Sequence, residues 1–366
     1  MACRIALVGR RQLFDKKTND MTRILLFSGL CLLLWSCQPT AGERAETETE
    51  TAAEPLPYAI AIHGGAGTIL RENMSDEQEE AYREALNQAL DIGEAILQDG
   101  GSSMDAVEQT IVFLENSPLF NAGKGAVFTN EGKNELDASF MVGRDKNAGA
   151  VGGVTVVKNP IRAARAVMEH SKHVLLTGEG AERFARQQEL EVVAPEYFYT
   201  ESRWEALQRA KAAENKQTGS LLPADYKYGT VGCVALDQNG DITAGTSTGG
   251  MTNKRFNRFG DVPVVGAGTY ASNASAGVSC TGHGEYFIRY AVAHDVTALM
   301  EYKGFSLAEA TQHIIHEKLK AAGGAGGLIS VDKYGNVSMP FNTPGMYRGF
   351  ATPVEREVGI YGEVEE

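Results

Sequence analysis

Apolar positions along the chain alternate between two periods, one typical of helices and one typical of strands. Residues 76–98 carry apolar side chains three and four apart and stop before Gly100-Gly101, so they predict an amphipathic helix. Residues 102–114 begin with Ser-x-x-Asp, a capping pattern that predicts the start of a second helix. Short apolar runs between turn residues predict strands.

The remaining predicted elements follow the same two patterns. The predicted strands are 58–62, 135–142, 150–157, 230–236, 242–246, 264–270, 277–281, 327–332 and 336–339. The further predicted helices are 160–170, 180–188, 284–294, 296–302 and 306–319. Strands precede helices in each half of the chain, which favours the α+β class over strict alternation of strand and helix.

Two segments interrupt this regular pattern. The run from His63 to Gly67 is too rich in glycine to continue a strand, so we expect a turn there. Residues 201–228 are polar and weakly patterned, and we interpret their later part as a surface linker.

The N-terminal region reads as an export signal. An apolar run over residues 24–35 follows Arg23, and its 12 residues are too few to span a bilayer. The end of this run and the two residues after it read Leu34-Trp35-Ser36-Cys37, which resembles a bacterial lipobox. We therefore expect a protein exported to the periplasm or cell envelope, whose only membrane contact is a lipid anchor on Cys37. A plain signal peptide with an incidental cysteine is the alternative.

The boundaries of this region divide the chain into three parts. Met21 begins a signal of normal proportions, so we interpret residues 1–20 as a misannotated start and 1–37 as the export segment. Residues 38–57 are acidic and lack periodic apolar positions, which predicts a flexible tether. Residues 58–366 are expected to form one globular domain.

Charge and cysteine content exclude several classes of function. The 34 Lys+Arg residues against 47 Asp+Glu residues give a net charge of −13, which argues against a nucleic-acid partner. The five cysteines form no C-x-x-C pair, so zinc is not indicated. Cys233 and Cys280 lie in apolar strand-like runs, and we predict buried free thiols.

One step in the chain could carry chemistry. A predicted strand begins at Gly229-Thr230, directly after the weakly patterned segment. A threonine hydroxyl is a poor nucleophile without a base beside it. Cleavage between Gly229 and Thr230 would give Thr230 an α-amine with a pKa near 8, which suits base catalysis at neutral pH.

The motifs around this step resemble one family closely. The motifs in question are 62–67 (IHGGAG), 118–123 (PLFNAG), 135–139 (ELDAS), 245–254 (GTSTGGMTNK), 258–261 (RFGD), 266–270 (GAGTY), 279–285 (SCTGHGE) and 341–348 (FNTPGMYR). Together they resemble the plant-type asparaginase/isoaspartyl peptidase family of N-terminal nucleophile hydrolases, from about Tyr58 to Tyr361.

The resemblance implies a fold and a processing step. It implies a four-layer αββα sandwich that cleaves itself between Gly229 and Thr230. The α chain would end at Gly229 and the β chain would be 230–366. It also implies an (αβ)₂ homodimer and small-molecule substrates: β-aspartyl dipeptides and L-asparagine.

The resemblance also assigns catalytic roles. Thr230 corresponds to the nucleophile, and Thr248 to the hydroxyl that supports it. The Thr281 hydroxyl and the Gly282 N–H correspond to the oxyanion hole, where donors stabilise developing negative charge. No catalytic cofactor is implied.

A substrate site is implied a little further along the chain. Arg258 and Asp261 correspond to the pair that holds the substrate's α-carboxylate and α-amine, for which a guanidinium and a carboxylate are chemically suited. Thr281, Gly282 and Gly284 are expected to line the same site.

A structural sodium ion is implied at a loop in the first half. In related enzymes the corresponding loop wraps the ion with backbone carbonyls, and oxygen ligands suit a hard cation. The corresponding residues here are Leu114, Glu115, Ser117, Phe120, Ala122 and Lys124.

Two other functions stay open at this point. A glycosylasparaginase typically has Asp before the nucleophilic Thr, whereas Gly229 stands there. An uncleaved, lipid-anchored binding protein for aspartate-like ligands is the alternative outside enzymes. The presence of all three hydroxyls, on Thr230, Thr248 and Thr281, argues against it.

Overall fold

The computed structural model describes residues 55–214 and 229–362. The predicted export segment 1–37, with Cys37, and residues 38–54 of the predicted tether lie outside the described residues. Within the two described ranges, every helix falls short of the length and apolarity that crossing a bilayer requires.

Twelve strands and eight helices make up the described body. The strands are β1 (Ala59–Gly67), β2 (Leu136–Val142), β3 (Ala148–Val154), β4 (Leu175–Thr177), β5 (Val231–Leu236), β6 (Ile242–Thr248), β7 (Thr269–Ala271), β8 (Ala276–Gly282), β9 (Gly326–Asp332), β10 (Val337–Ser338), β11 (Gly345–Ala351) and β12 (Arg356–Tyr361). The helices are α1 (Asp76–Gln98), α2 (Ser103–Asn116), α3 (Pro160–His170), α4 (Gly178–Gln187), α5 (Glu201–Glu214), α6 (Gly284–Tyr290), α7 (Val292–Lys303) and α8 (Leu307–Gln312).

The strands form two sheets. Eight strands are ordered β12-β11-β1-β5-β6-β2-β3-β4, and four are ordered β10-β9-β8-β7. Neighbours are antiparallel except β3 and β4, which are parallel. Strands β1, β5 and β6 at the centre of the large sheet face β8 and β9 of the small one.

Three buried clusters hold sheets and helices together. Helices α1, α2 and α3 pack on the outer face of the large sheet, around residues such as Ile60 and Ile111. A smaller apolar cluster, including Val234 and Ile329, lies between the sheets. Helices α6, α7 and α8 pack on the outer face of the small sheet. Stacked sheets and helices of this kind agree with the predicted α+β class.

The expected turn at His63–Gly67 is wrong, because β1 continues through Gly67. The strand β11 pairs with this glycine-rich end, with Ala66 opposite Met346, after a bulge between His63 and Gly65. A partner strand thus satisfies the backbone of residues whose composition alone favours a turn.

Three other regions depart from the predicted elements. Residues 264–268 form turns, in which the Ala267 N–H donates to the Val264 carbonyl, so β7 keeps only the end of its predicted range. The predicted helix 306–319 becomes π-helical over His313–Leu319. Strands β11 and β12 were not predicted from the apolar pattern.

The segment 201–228 begins as a helix rather than as an unpatterned stretch. Helix α5 buries Leu207 and packs Trp204 edge-on against Phe128. One buried position in fourteen residues leaves almost no apolar periodicity for a sequence pattern to reveal. Residues 215–228 lie outside the described residues.

The close approach of α2 to β6 gives a stability prediction. A Cβ at Gly245 would lie 2.8 Å from Val107 Cγ1 and 2.9 Å from Ile111 Cδ1. Gly245→Ala is therefore expected to lower the free energy of unfolding by about 1–3 kcal/mol, measured by urea denaturation. Gly180→Ala, on an exposed turn of α4 with no atom within 4 Å, is the matched control. It is expected to be neutral or to raise stability by up to about 1 kcal/mol. Equal effects of both changes would contradict this account of the packing.

Candidate active site

The register of β5 against β6 brings two threonine hydroxyls together. Val231 pairs with Ser247, so Thr230, just before β5, lies beside Thr248 at the end of β6. The Thr230 hydroxyl donates to Thr248 Oγ at 3.0 Å. The Gly250 N–H also donates to Thr248 Oγ, at 3.0 Å. The predicted nucleophile and its predicted partner are thus hydrogen-bonded, and both are buried.

Asn121 holds the peptide bond before Thr230. Its backbone N–H donates to the Gly229 carbonyl at 2.8 Å. Its side chain is fixed at both ends, because Nδ2 donates to the Gly250 carbonyl at 2.7 Å and Oδ1 accepts from the Val127 N–H at 2.9 Å. A Cβ at Gly229 would lie only 2.7 Å from Asn121 Cβ, so the contact requires glycine there.

Thr281 lies on the small sheet, at the end of β8. Its side chain is buried, and its Oγ accepts from the Ala66 N–H at 3.3 Å, which joins β8 to the glycine-rich end of β1. Ser279 lies two residues earlier, and so on the same face of β8. Ser279 contacts His63, whose other ring nitrogen contacts Thr230. These contacts and the shared face place the Thr281 side chain on the side of β8 that is linked to Thr230, and Gly282 follows as the last residue of the strand.

Three of the five predicted substrate-binding residues, Arg258, Asp261 and Gly284, come together. A Cβ at Gly284 would lie 2.8 Å from Asp261 Oδ1 and 2.9 Å from Arg258 Nη2. Arg258 makes two hydrogen bonds of 2.8 Å to Glu285, a partner that the sequence analysis missed. The family resemblance had paired Arg258 only with Asp261.

Asp261 is electrostatically unusual. It is almost wholly buried, and its Oδ2 has no hydrogen-bond partner among the described residues. Burial raises the pKa of Asp261 to about 7, although the positive charge of Arg258 opposes the shift. An unpaired buried carboxylate oxygen next to a guanidinium suits a ligand that carries both an ammonium and a carboxylate.

A second buried carboxylate lies behind the threonines. Asp137 pairs directly opposite Thr248 across β2 and β6 and is fully buried. Lys254 Nζ lies 3.9 Å from Asp137 Oδ2 and 3.6 Å from Glu135 Oε2. Burial raises the pKa of Asp137, and the charge of Lys254 opposes the shift. Both residues stood in motifs quoted for the family, but nothing in their spacing showed that they meet.

The predicted sodium loop has some carbonyls directed into one turn. A Cβ at Gly123 would meet the Glu115 carbonyl oxygen, and a Cβ at Gly125 would meet those of Phe120 and Pro118. Carbonyl oxygens are the donors that a hard monovalent cation takes, so this donor set fits sodium. The Leu114 and Ala122 carbonyls accept from N–H groups of the same loop, those of Ser117 and Gly125. Among the described residues, no cluster of three or more His, Cys, Asp or Glu could hold a metal.

The side chain of Glu115 has a separate position that the sequence analysis missed. It is fully buried and accepts from Ser247 Oγ at 2.7 Å, from Asn159 Nδ2 at 3.0 Å and from the Ile161 N–H at 3.0 Å. Burial raises its pKa to about 7. Glu115 thereby links the end of β6, at Ser247 beside Thr248, to the start of α3 at Ile161.

The two described cysteines, Cys233 and Cys280, are buried free thiols as predicted.

Comparison with known proteins defines the class. A family model described as asparaginase matches residues 56–360. An isoaspartyl peptidase of Salmonella typhimurium is 53% identical over 311 residues, covering 83% of this chain and 98% of the relative. One of Escherichia coli is 53% identical over 311 residues, with 83% and 96% covered. A mouse isoaspartyl peptidase/L-asparaginase is 40% identical over 285 residues, with 78% and 85% covered.

The chain therefore belongs to the asparaginase family that includes these isoaspartyl peptidases. The resemblance seen in the motifs is confirmed, and it extends across the whole described body.

The prediction of an exported protein anchored through Cys37 is contradicted by the same comparisons. The match covers the two bacterial relatives almost end to end, and the name of each, isoaspartyl peptidase, indicates neither export nor a lipid anchor. The lipobox resemblance rested on four residues, of which Trp35 fits poorly. A short apolar run followed by a cysteine does not suffice to predict where in the cell the protein resides.

The raised pKa of Asp261 predicts a pH dependence of stability. Ionising this carboxyl costs more in the folded protein than in the unfolded chain. The free energy of unfolding should therefore fall as pH rises from about 4 through about 7. Asp261→Asn is expected to match the natural protein near pH 4 and to be more stable at pH 8, by up to about 4 kcal/mol.

Urea denaturation at a series of pH values measures this difference. Asp145→Asn, at an exposed side chain, is the matched control and should give a difference independent of pH. If the stability difference between Asp261→Asn and the natural protein were also independent of pH, the pKa of Asp261 would not be raised in the folded protein.

Proposed function

We propose that the protein is a self-processing threonine amidohydrolase that hydrolyses β-aspartyl dipeptides and L-asparagine and releases L-aspartate. The observation that carries the proposal is the arrangement at one residue: the Thr230 hydroxyl bonds to Thr248 while Asn121 holds the Gly229 carbonyl. The printed names of the relatives, isoaspartyl peptidase and isoaspartyl peptidase/L-asparaginase, support the substrate class.

Self-cleavage would begin with attack of Thr230 Oγ on the Gly229 carbonyl carbon. The negative charge that develops on the carbonyl oxygen would lie 2.8 Å from the Asn121 N–H. The C–N bond breaks, the nitrogen takes a proton, and an ester joins Gly229 to Thr230 Oγ. Water then hydrolyses the ester, leaving a carboxylate on Gly229 and a free α-amine on Thr230.

Hydrolysis of substrate would use that amine. The α-amine of Thr230 accepts the proton of the Thr230 hydroxyl. The Thr230 Oγ then attacks the side-chain amide carbon of the substrate. The Thr281 hydroxyl and the Gly282 N–H stabilise the oxyanion. Ammonia or an amino acid leaves with the proton, and water hydrolyses the β-aspartyl ester. Thr248 orients the nucleophile throughout.

Arg258 and Asp261 would hold the two charged groups of the aspartyl unit. The ammonium would meet the buried carboxylate of Asp261, and the α-carboxylate would meet Arg258. Glu285 takes the Nε–H and one Nη2–H of Arg258, so the substrate carboxylate would use Nη1 and the second hydrogen of Nη2, or displace Glu285. Gly284, which touches both charged residues, leaves room for the ligand.

Several finer features belong to the same proposal. The stacked layers form the αββα sandwich, and residues 58–366 act as one domain divided into an α chain ending at Gly229 and a β chain from Thr230. The processed protein pairs as an (αβ)₂ dimer. A structural sodium ion held by the six residues of the 114–124 loop would stiffen the loop that carries Asn121; catalysis itself would need no cofactor.

A glycosylasparaginase is the weaker candidate. The residue before the nucleophile is Gly229, where an Asp is typical of that class, and the contact with Asn121 leaves no room for a side chain. Activity on a glycosylated asparagine with none on β-aspartyl dipeptides would reverse this preference.

Removal of the Thr230 hydroxyl tests the proposal directly. The natural full chain is expected to yield two fragments, one beginning Thr-Val-Gly-Cys, and to release aspartate from a β-aspartyl dipeptide. Thr230→Ala should stay one chain and lose activity by at least about 10³-fold, because it lacks the nucleophile for both steps. Intact mass and N-terminal sequencing measure the first effect, and amino-acid release measures the second.

Thr243→Val, elsewhere on β6, is the control for loss of a buried hydroxyl and should be cut normally. Cutting of Thr230→Ala at the same bond would show that another residue attacks.

Substitution of Arg258 tests the substrate site. Arg258→Lys keeps the charge but loses the two-point geometry, so KM for a β-aspartyl dipeptide is expected to rise at least about 10-fold, with a smaller change in kcat. Arg255→Lys is the matched control, because Arg255 is exposed and bonds to Glu214. An unchanged KM in steady-state kinetics would place the substrate carboxylate elsewhere.

A further inference from the structure

A layer of buried polar side chains lies between the sheets. Along β6 it lies one side chain nearer the apolar cluster than the pair formed by Thr230 and Thr248. We call His63, Ser279, Thr246, Thr269 and Ser139 the polar layer; all five are fully buried. His63 Nε2 lies 2.9 Å from Ser279 Oγ, which lies 2.6 Å from Thr246 Oγ. Thr246 Oγ lies 2.5 Å from Thr269 Oγ, and Ser139 Oγ completes the layer at 2.7 Å from Thr269 Oγ.

The strand periodicity fixes where this layer sits. Side chains two residues apart share a face, so Thr246 lies one step below Thr248 on β6 and Ser139 one step below Asp137 on β2. One step further down, the space between the sheets is apolar, with residues such as Ala244. The polar layer therefore separates the candidate site from the apolar cluster.

The layer ends on the candidate nucleophile. His63 Nδ1 lies 2.9 Å from the carbonyl oxygen of Thr230. A carbonyl only accepts, so Nδ1 carries the proton and Nε2 accepts from Ser279. Each hydroxyl has one proton. Donation by Ser279 therefore requires Thr246 to donate to Ser279 and Thr269 to donate to Thr246.

Two further features match this arrangement. Burial lowers the pKa of His63 to about 3, so the ring is neutral at physiological pH, as one donor and one acceptor require. Gly232, opposite His63 on β5, leaves the space that the pair occupies, because a Cβ there would overlap both Ser279 Oγ and His63 Nε2.

We propose that His63 is a positioning residue, which Ser279 and the rest of the polar layer hold in one tautomer so that it fixes the main chain of Thr230. The inference rests on the proposed function, since it concerns the same nucleophile.

The need for this contact follows from what cleavage removes. In the uncut chain, the Asn121 N–H donates to the carbonyl of Gly229, and His63 contacts the carbonyl of Thr230 itself. Once the Gly229–Thr230 bond is cut, the Asn121 contact no longer restrains Thr230. The contact with His63 then limits rotation of the residue that carries both the nucleophile and its base, while Thr248 holds only the hydroxyl.

The test compares two substitutions of nearly equal size. His63→Asn keeps an N–H donor near the position of Nδ1, whereas His63→Leu has no donor. In the full-length protein, His63→Leu is expected to slow self-cleavage and to lower kcat of the processed enzyme at least about 10-fold, with KM changed less than about threefold. His63→Asn should stay within about fivefold of the natural kcat. Thr243→Val on β6, which breaks a 3.0 Å hydroxyl pair with Ser103 of α2, is the control and should leave kcat unchanged.

Two outcomes would overturn the proposal. One is a kcat for His63→Leu equal to that of the natural enzyme. The other is an equal loss in His63→Leu and His63→Asn, which would make the role of the ring one of packing alone.

A second measurement covers the case in which His63→Leu does not fold. The ¹⁵N resonances of His63 in the natural protein should show a protonated Nδ1 and an unprotonated Nε2 from pH 5 to 8. Ser279→Ala should lower kcat and allow the other tautomer. A natural ring that is protonated on Nε2, or that titrates in this range, would overturn the inference. Failure of the proposed function would appear differently, as a Thr230→Ala protein that is still cut and active.

Discussion

The antiparallel register between β5 and β6 is the constraint on which the site depends. It places the residue just before β5 beside the last residue of β6, so that the hydroxyls of Thr230 and Thr248 lie 3.0 Å apart. A slip of one residue would turn Thr230 towards the helices and Val231 into the space between the sheets. The register is held from the other side as well, because α2 packs closely on β6 at Gly245.

The space between the sheets changes character along the strands. At one end it is apolar, and towards the threonines it holds a neutral histidine, several hydroxyls and the buried carboxylate of Asp137. Asp261 adds a second buried carboxylate, with one oxygen that has no hydrogen-bond partner among the described residues. Burying such groups lowers the stability of the fold, and groups with shifted pKa values concentrate where a protein binds charged ligands. The stability lost at Asp261 is the counterpart of its proposed affinity for an ammonium.

The glycines around the site act mainly by leaving space. Gly229 permits the contact with Asn121, and Gly232 makes room for the pair of His63 and Ser279. Gly284 lies against Arg258 and Asp261 at the start of α6. At each of these positions a side chain would displace a functional group.

The sequence by itself determined the family, the α+β class, most helices and the central strands, because the motifs are long and the apolar periods are regular. It also identified Thr230 at the Gly-Thr step before a strand, and Thr248, Arg258 and Asp261 within the family motifs, as candidate site residues. It could not show that Glu285 engages Arg258, that Lys254 lies near Asp137, or that His63 meets both Ser279 and the carbonyl of Thr230. These partners are separated in the chain, and strand pairing within a sheet and the stacking of the two sheets bring them together. The glycine-rich end of β1 was misjudged for the same reason: its partner strand β11 lies almost three hundred residues away, and local composition carries no information about a hydrogen bond that the fold supplies.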